Sequence, residues 1–203
     1  MRGRFITLEG MDGAGKSSHL GTIRAVLQAR GVEALFTREP GGTDLGEQLR
    51  SLLLRQGMSL ATETLLIFAA RAEHIAQVIQ PALSAGTWVV SDRFTDATYA
   101  YQGSARGLGA AAVAELEDWV QHGLHPDLTL LFDVPVEVGL ARRKQASLQL
   151  DRFEQQDREF FERVRAGYLE RAREAPLRIR VIDAARPAEE VRDAVEQNLQ
   201  RLF

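Results

Sequence analysis

The chain has 203 residues and no cysteine; 45% of residues are hydrophobic, 26% are charged, and the formal net charge is −3. That length suits one domain with a core that needs no disulfide or metal to hold it, and the missing cysteines exclude a disulfide scaffold, thiolate zinc sites and a cysteine nucleophile. No global positive field points to nucleic acid or an anionic membrane, and the longest wholly apolar run, Leu65–Ala70, falls far short of the ~20 residues of a membrane span, so a soluble, cytoplasmic protein is expected.

The first predicted strand, Arg4–Glu9, runs into a glycine-rich turn. Leu20, Ile23, Val26 and Leu27 then recur at helical spacing, with Gly31 as a stop. A second strand spans Val32–Glu39, and Leu45, Leu49, Leu52 and Leu53 outline a helix whose apolar stripe is expected in the core. Leu65, Phe68, Ile75, Val78 and Ile79 outline another, ending before Pro81. The third strand, Thr87–Asp92, precedes a helix that closes at Trp119 and Val120 before Gly123. The fourth, Leu128–Val134, is followed by a helix carrying Phe160, Phe161, Val164 and Leu169. The fifth, Arg178–Asp183, leads to a last helix opened by Pro187 and carrying Val191, Val195, Leu199 and Leu202. Continuous apolar runs such as Trp88-Val89-Val90 suit strands covered on both faces, and strands alternating with helices imply a parallel sheet with right-handed crossovers. The expectation is one α/β domain over 1–203: a five-stranded parallel sheet flanked by helices. The segment 142–152, basic at both ends and lacking an apolar face, is a candidate lid.

Gly10-Met11-Asp12-Gly13-Ala14-Gly15-Lys16-Ser17 matches G-x-x-x-x-G-K-[ST] directly after a predicted strand. Its glycines let the backbone curl around phosphate with N–H groups inward, and the following helix start adds its positive dipole. Lys16 would reach the β- and γ-phosphates of a nucleoside triphosphate and Ser17 would ligate Mg²⁺. Lys16 is one of only two lysines, against 23 arginines. A GTPase switch would need an Asn-Lys-x-Asp motif, yet the only asparagine is Asn198. Partition-type ATPases carry an extra lysine early in this loop, where Met11 and Asp12 stand. A kinase acting on a small anionic acceptor remains. Arg38 and Arg93 lie at the ends of the second and third strands, on the rim where parallel sheets bind ligands, and could hold the acceptor's charge.

With these features the chain resembles thymidylate kinases of the bacterial type, P-loop nucleoside monophosphate kinases. The resemblance rests on Glu9–Ser17, Thr37–Thr43 (TREPGGT), Phe68–Arg71 (FAAR), Asp92-Arg93-Phe94, Thr98–Gly103 (TYAYQG), Pro126–Asp133 (PDLTLLFD) and Leu150–Gln155 (LDRFEQ), and runs over nearly the whole chain. It implies transfer of the γ-phosphoryl group of Mg-ATP to dTMP, and a homodimer packed through helices. Another nucleoside monophosphate kinase, or a nucleotide-dependent switch module, is the alternative. The resemblance implies that Arg93, Arg38 and Arg50 meet the dTMP phosphate and that Asp12 meets the 3′-hydroxyl. It further implies that Tyr101 excludes a 2′-hydroxyl, that Arg71, Thr98 and Gln102 read thymine, and that Phe68 supplies an apolar wall. The family's stacking aromatic often sits four residues before the base-reading arginine, where this chain has Ile67. No arginine lies between Gly10 and Lys16, so the catalytic arginine is expected in the lid, at Arg143 or Arg152, although the Arg-Gly pair of many relatives is replaced by Ala146-Ser147-Leu148-Gln149. The four histidines, His19, His74, His122 and His125, have no evident carboxylate partner or metal spacing and are expected to be structural.

Overall fold

The protein is described by a computed structural model covering residues 2–146, 153 and 156–203. The expected strands form within two residues of their expected ends: β1 (Phe5–Glu9), β2 (Ala34–Arg38), β3 (Trp88–Asp92), β4 (Leu128–Asp133) and β5 (Ile179–Asp183). All pair in parallel in the order β2-β3-β1-β4-β5. Every residue of β1 is buried, because helices cover both faces of the central strands and leave no position for water. The register aligns Leu8 of β1 and Arg38 of β2 with Asp92 of β3, so the loops that follow these strands open on one edge.

Helix α1 (Leu20–Ala29) ends before Gly31, which has a left-handed φ of 67°, and α2 (Asp44–Arg55) is capped by the Thr43 hydroxyl accepting from the Gly46 amide. The stripe on α2 is not all core: Leu45 is 46% and Leu52 40% exposed, while Leu53 is buried. Periodicity marks an apolar face but does not say what covers it. Helix α3 (Leu60–His74) does not stop before Pro81. It widens into a π-helical stretch, Ile75–Ile79, and continues as α4 (Gln80–Ser84) with the proline in its first turn, so the missing N–H falls at the change of helical pitch.

Helix α5 (Thr95–Thr98) widens in the same way into a π-helical stretch over Tyr99–Ala105, followed by α6 (Ala110–Gln121). Residues 142–146 of the expected lid are helical, forming the end of α7 (Val136–Ala146); residues 147–152 lie outside the described residues. Helix α8 (Arg158–Glu174) packs on the Tyr99–Ala105 stretch, and α9 (Ala188–Leu199) returns to α1 and β5. Asp96, nearly fully buried, accepts from both Arg178 and Arg171, which ties α5 to α8 and to the start of β5.

Candidate active site

The loop after β1 curls through Gly10, Gly13 and Gly15, all at positive φ. A Cβ on Gly10 would lie 2.4 Å from the Phe132 carbonyl oxygen, and one on Gly13 would lie 2.2 Å from that of Gly139. Close approach to β4 and α7 therefore demands glycine at both positions. Lys16 is buried, and its Nζ donates to the carbonyl oxygens of Gly10 (2.9 Å) and Met11 (3.2 Å), so the ammonium lies under the loop. Burial, and then the positive charge of Arg93, lower its proton affinity; an arriving anion would reverse that effect.

Arg93 has φ 72°, unusual for a residue with a side chain. Three bonds hold it there: its N–H donates to Leu8 O (2.9 Å), its carbonyl accepts from Ser91 Oγ (2.7 Å), and the next amide, of Phe94, donates to Glu9 Oε1 (2.7 Å). The strained turn aims the guanidinium at Asp12 (2.6 Å), Tyr101 Oη (3.3 Å) and Tyr168 Oη (3.1 Å). Burial works to raise the Asp12 pKa, but Arg93 and Lys16 outweigh it and hold the group down at about 2. Glu9 is fully buried and accepts from Tyr168 Oη at 2.9 Å; burial, and then the negative charge of Asp96, push its pKa up to about 8.

Two clefts meet at this arginine. One, of about 500 Å³, is lined by Gly13, Gly15, Lys16, Ser17, Asp92 and Arg143 among others. The other, of about 230 Å³, is lined by Ile67, Arg71, Phe94, Thr98, Tyr101 and Gln102, with Phe153. Asp12, Glu39, Arg50 and Arg93 line both. In the smaller cleft Arg71 is held by Glu39 Oε2 (2.7 Å), Phe94 O (3.2 Å) and Thr98 Oγ1 (3.1 Å), while its Nη1 is buried with no hydrogen-bond partner among the described residues. Arg50 donates to Pro40 O (2.9 Å). Arg38, more than half exposed, pairs with Glu47 at 2.9 Å on the rim of the larger cleft.

Phe68 is not a cleft wall. It is buried with Tyr99 and Val113, its ring 4.7 Å from the Arg71 guanidinium, whereas Ile67 lines the cleft. One residue is a turn of about 100° on a helix, enough to exchange core for cavity. Two of the histidines do have carboxylate neighbours, which their spacing in the sequence did not show. His74 is fully buried between Glu39 Oε1 (3.0 Å) and Thr37 Oγ1 (2.7 Å), and His125 lies 3.4 Å from Glu117. Arg143 is buried over the Phe161 ring, 4.7 Å to its centroid, and its Nε and Nη1 have no hydrogen-bond partner among the described residues. Arg142 instead donates to Ala184 O at 2.9 Å, and Arg152 lies outside the described residues.

Glu9, Glu39, Asp92 and Phe94, which the quoted motifs contain but to which no role was given, also belong to this site, as does Tyr168, which lies outside every motif. An acid closing an apolar strand was the available signal for Glu9; Tyr168 had none, being 75 residues from Arg93 in sequence.

A family model described as "Thymidylate kinase" matches residues 8–195. Curated relatives include the thymidylate kinase of Methylobacillus flagellatus, 61% identical over 195 residues and covering 96% of each chain. That of Cupriavidus metallidurans is 59% identical over 202 residues, the whole of both chains, and that of Bordetella pertussis is 59% identical over 99% of this chain and 96% of its own. With a phosphate loop, a strained arginine and a second cleft on one sheet edge, and matches over nearly its full length, the chain belongs to the thymidylate kinase family.

Proposed function

We propose that this protein transfers the γ-phosphoryl group of ATP to dTMP, giving dTDP and ADP. The observation that carries this reading is the meeting of the two clefts at Asp12, Arg50 and Arg93, with the phosphate loop on one side and a nucleoside-sized cleft on the other. ATP phosphates lie against the amides of Gly10, Met11, Asp12, Gly13, Ala14 and Gly15, with Lys16 turning from loop carbonyls to the β- and γ-phosphates. Arg93, with Arg38 and Arg50, clamps the dTMP phosphate. Asp12 accepts from the 3′-hydroxyl, and the Tyr101 ring fills the space that a 2′-hydroxyl would need. Arg71, Thr98 and Gln102 read the base edge, and Ile67 and Phe94 supply the apolar wall.

The residues present fit Mg²⁺ carried with ATP. The Ser17 hydroxyl is exposed at the end of the loop, and Asp92 Oδ1, on the same cleft, is buried without a hydrogen-bond partner among the described residues. Two such oxygens suffice for an ion that takes its other ligands from phosphate and water. When bound, Mg²⁺ neutralises charge on the phosphates. The acceptor is already an oxyanion, so the protein's own contribution is alignment and charge, with no general base. Arg143, which lines the phosphate cleft, supplies the charge that Lys16 cannot, and Arg152 is the second candidate in the lid. Arg142 and Arg143 on the larger cleft and Phe153 on the smaller help to exclude water.

No helix among the described residues is long and apolar enough to cross a membrane, and we place the reaction in the cytoplasm, where its ATP is made. We also propose a homodimer through α2, α3 and α6, which pack side by side and expose Leu45, Leu52, Leu65 and Trp119.

The test is ADP release from Mg-ATP with dTMP, dUMP, UMP, AMP and GMP. Preferential turnover of dTMP is expected. Preference for another monophosphate would overturn the base-reading residues, and ATP binding without acceptor-stimulated turnover would favour a nucleotide switch.

A further inference from the structure

Gln102 is buried on the π-helical stretch, and its side-chain amide donates from Nε2 to Glu63 Oε1 at 2.7 Å. Glu63 has no solvent exposure and does not line the smaller cleft. The same oxygen forms an ion pair with Arg106 Nε at 3.1 Å. An ionised carboxylate only accepts hydrogen bonds, so the amide can face it with its nitrogen alone. The polar atom that Gln102 keeps for a ligand is therefore its oxygen.

A second polar side chain that lines that cleft is a donor. Arg71 Nη1 is buried and has no hydrogen-bond partner among the described residues, while Nε and Nη2 are taken by Glu39, Phe94 and Thr98. One acceptor and one donor match an imide edge, in which a ring N–H lies beside a carbonyl. Cytosine presents the reverse, an unprotonated ring nitrogen beside an amino group, and would leave both protein groups facing like partners.

We propose that Glu63, itself out of reach of substrate, is a positioning residue that sets which base edge the site accepts by fixing the direction of the Gln102 amide. This rests on the reading of Gln102 as a base-edge reader. A glutamine at position 63 can donate as well as accept, so the Gln102 amide becomes free to turn and offer its nitrogen to the base.

The experiment is kcat/KM for dTMP, dUMP and dCMP with the wild type, Glu63→Gln, Glu63→Asp and Gln102→Ala. In Glu63→Gln the preference for dTMP over dCMP should fall about tenfold, the size of one buried group left unpaired. The dTMP-to-dUMP ratio should hold, since both bases show the same imide edge, and Glu63→Asp, still acceptor-only, should keep both ratios. An unchanged dTMP-to-dCMP ratio in Glu63→Gln, or a dUMP ratio that moves equally, overturns the inference; the second result is what mere loosening of the site would give. Gln102→Ala separates the two readings. If its KM for dTMP is unchanged, the base-reading role itself is wrong; if that KM rises while Glu63→Gln leaves discrimination intact, only the role of Glu63 falls. Should Glu63→Gln not fold, side-chain amide NMR of the wild type decides. The Gln102 NH₂ resonances should barely move on adding dTMP, and a large shift would overturn the inference.

Discussion

Replacing Tyr168 with phenylalanine removes one oxygen from the centre of the site and leaves its shape intact. The hydroxyl is buried, donates to Glu9 Oε2 at 2.9 Å and accepts from Arg93 Nη1 at 3.1 Å. The ring keeps its edge contact with Tyr101, 6.3 Å between centroids, so no cavity is created. Glu9 retains the Phe94 amide, and Arg93 retains Asp12 and Tyr101. What is lost is a pair of buried hydrogen bonds, one of them from the charged Arg93 guanidinium, about 2 kcal/mol in net stability. In a domain of this size that lowers Tm by roughly 4–8 °C. Arg93, missing one of its three side-chain partners, should bind the dTMP phosphate less tightly, raising KM for dTMP about tenfold while KM for ATP stays within about twofold. Thermal unfolding and a coupled ADP-release assay give both numbers. A Tm within about 1 °C of wild type together with an unchanged KM for dTMP would refute the reasoning.

Arg93→Ala should lower kcat/KM for dTMP by about a thousandfold or more and leave ATP binding intact, because its charge faces the acceptor; titration calorimetry with ATP separates the two effects, and unchanged turnover would remove the acceptor-site assignment. Gly42→Ala places a Cβ 2.5 Å from His74 Nε2 and 2.7 Å from Thr37 Oγ1 at a φ of 82°. It should lower Tm by at least about 4 °C and raise KM for dTMP, since His74 supports Glu39 and Glu39 supports Arg71; a wild-type melting curve would contradict the packing. Glu9 gives a pH signature. Its folded pKa is raised from 4.5 to about 8, so its contribution to stability is present below about pH 4.5 and is lost as pH rises through 8. Glu9→Gln should flatten the fall in Tm between pH 5 and 9, whereas parallel curves for mutant and wild type would show that Glu9 does not titrate there.

The strands and the phosphate loop were legible because short contiguous segments encode them. An apolar run such as Leu130-Leu131-Phe132 has few ways to be buried other than as a central parallel strand, and Gly10–Ser17 carries its turn, charge and helix start in eight consecutive residues. Arg38 and Arg93 were legible for a related reason: the ends of parallel strands share one edge, so a charge at a strand end has a known direction. The cleft that separates Ile67 from Phe68 was not, since both are apolar and only the packing of α3 against α6 and the Tyr99–Ala105 stretch decides which of them lines the cleft. The exposure of Leu45 and Leu52 was hidden because periodicity describes a face without its neighbour. Sequence by itself determined the sheet and the phosphate loop, and it put Arg38 and Arg93 at strand ends on one edge. Tertiary structure alone decided the supports behind them: Tyr168 and Glu9 under Arg93, His74 and Glu39 under Arg71, and Glu63 under Gln102. Those pairs are 32 to 159 residues apart or depend on which side of a helix is buried, and such contacts arise from packing rather than from any local pattern.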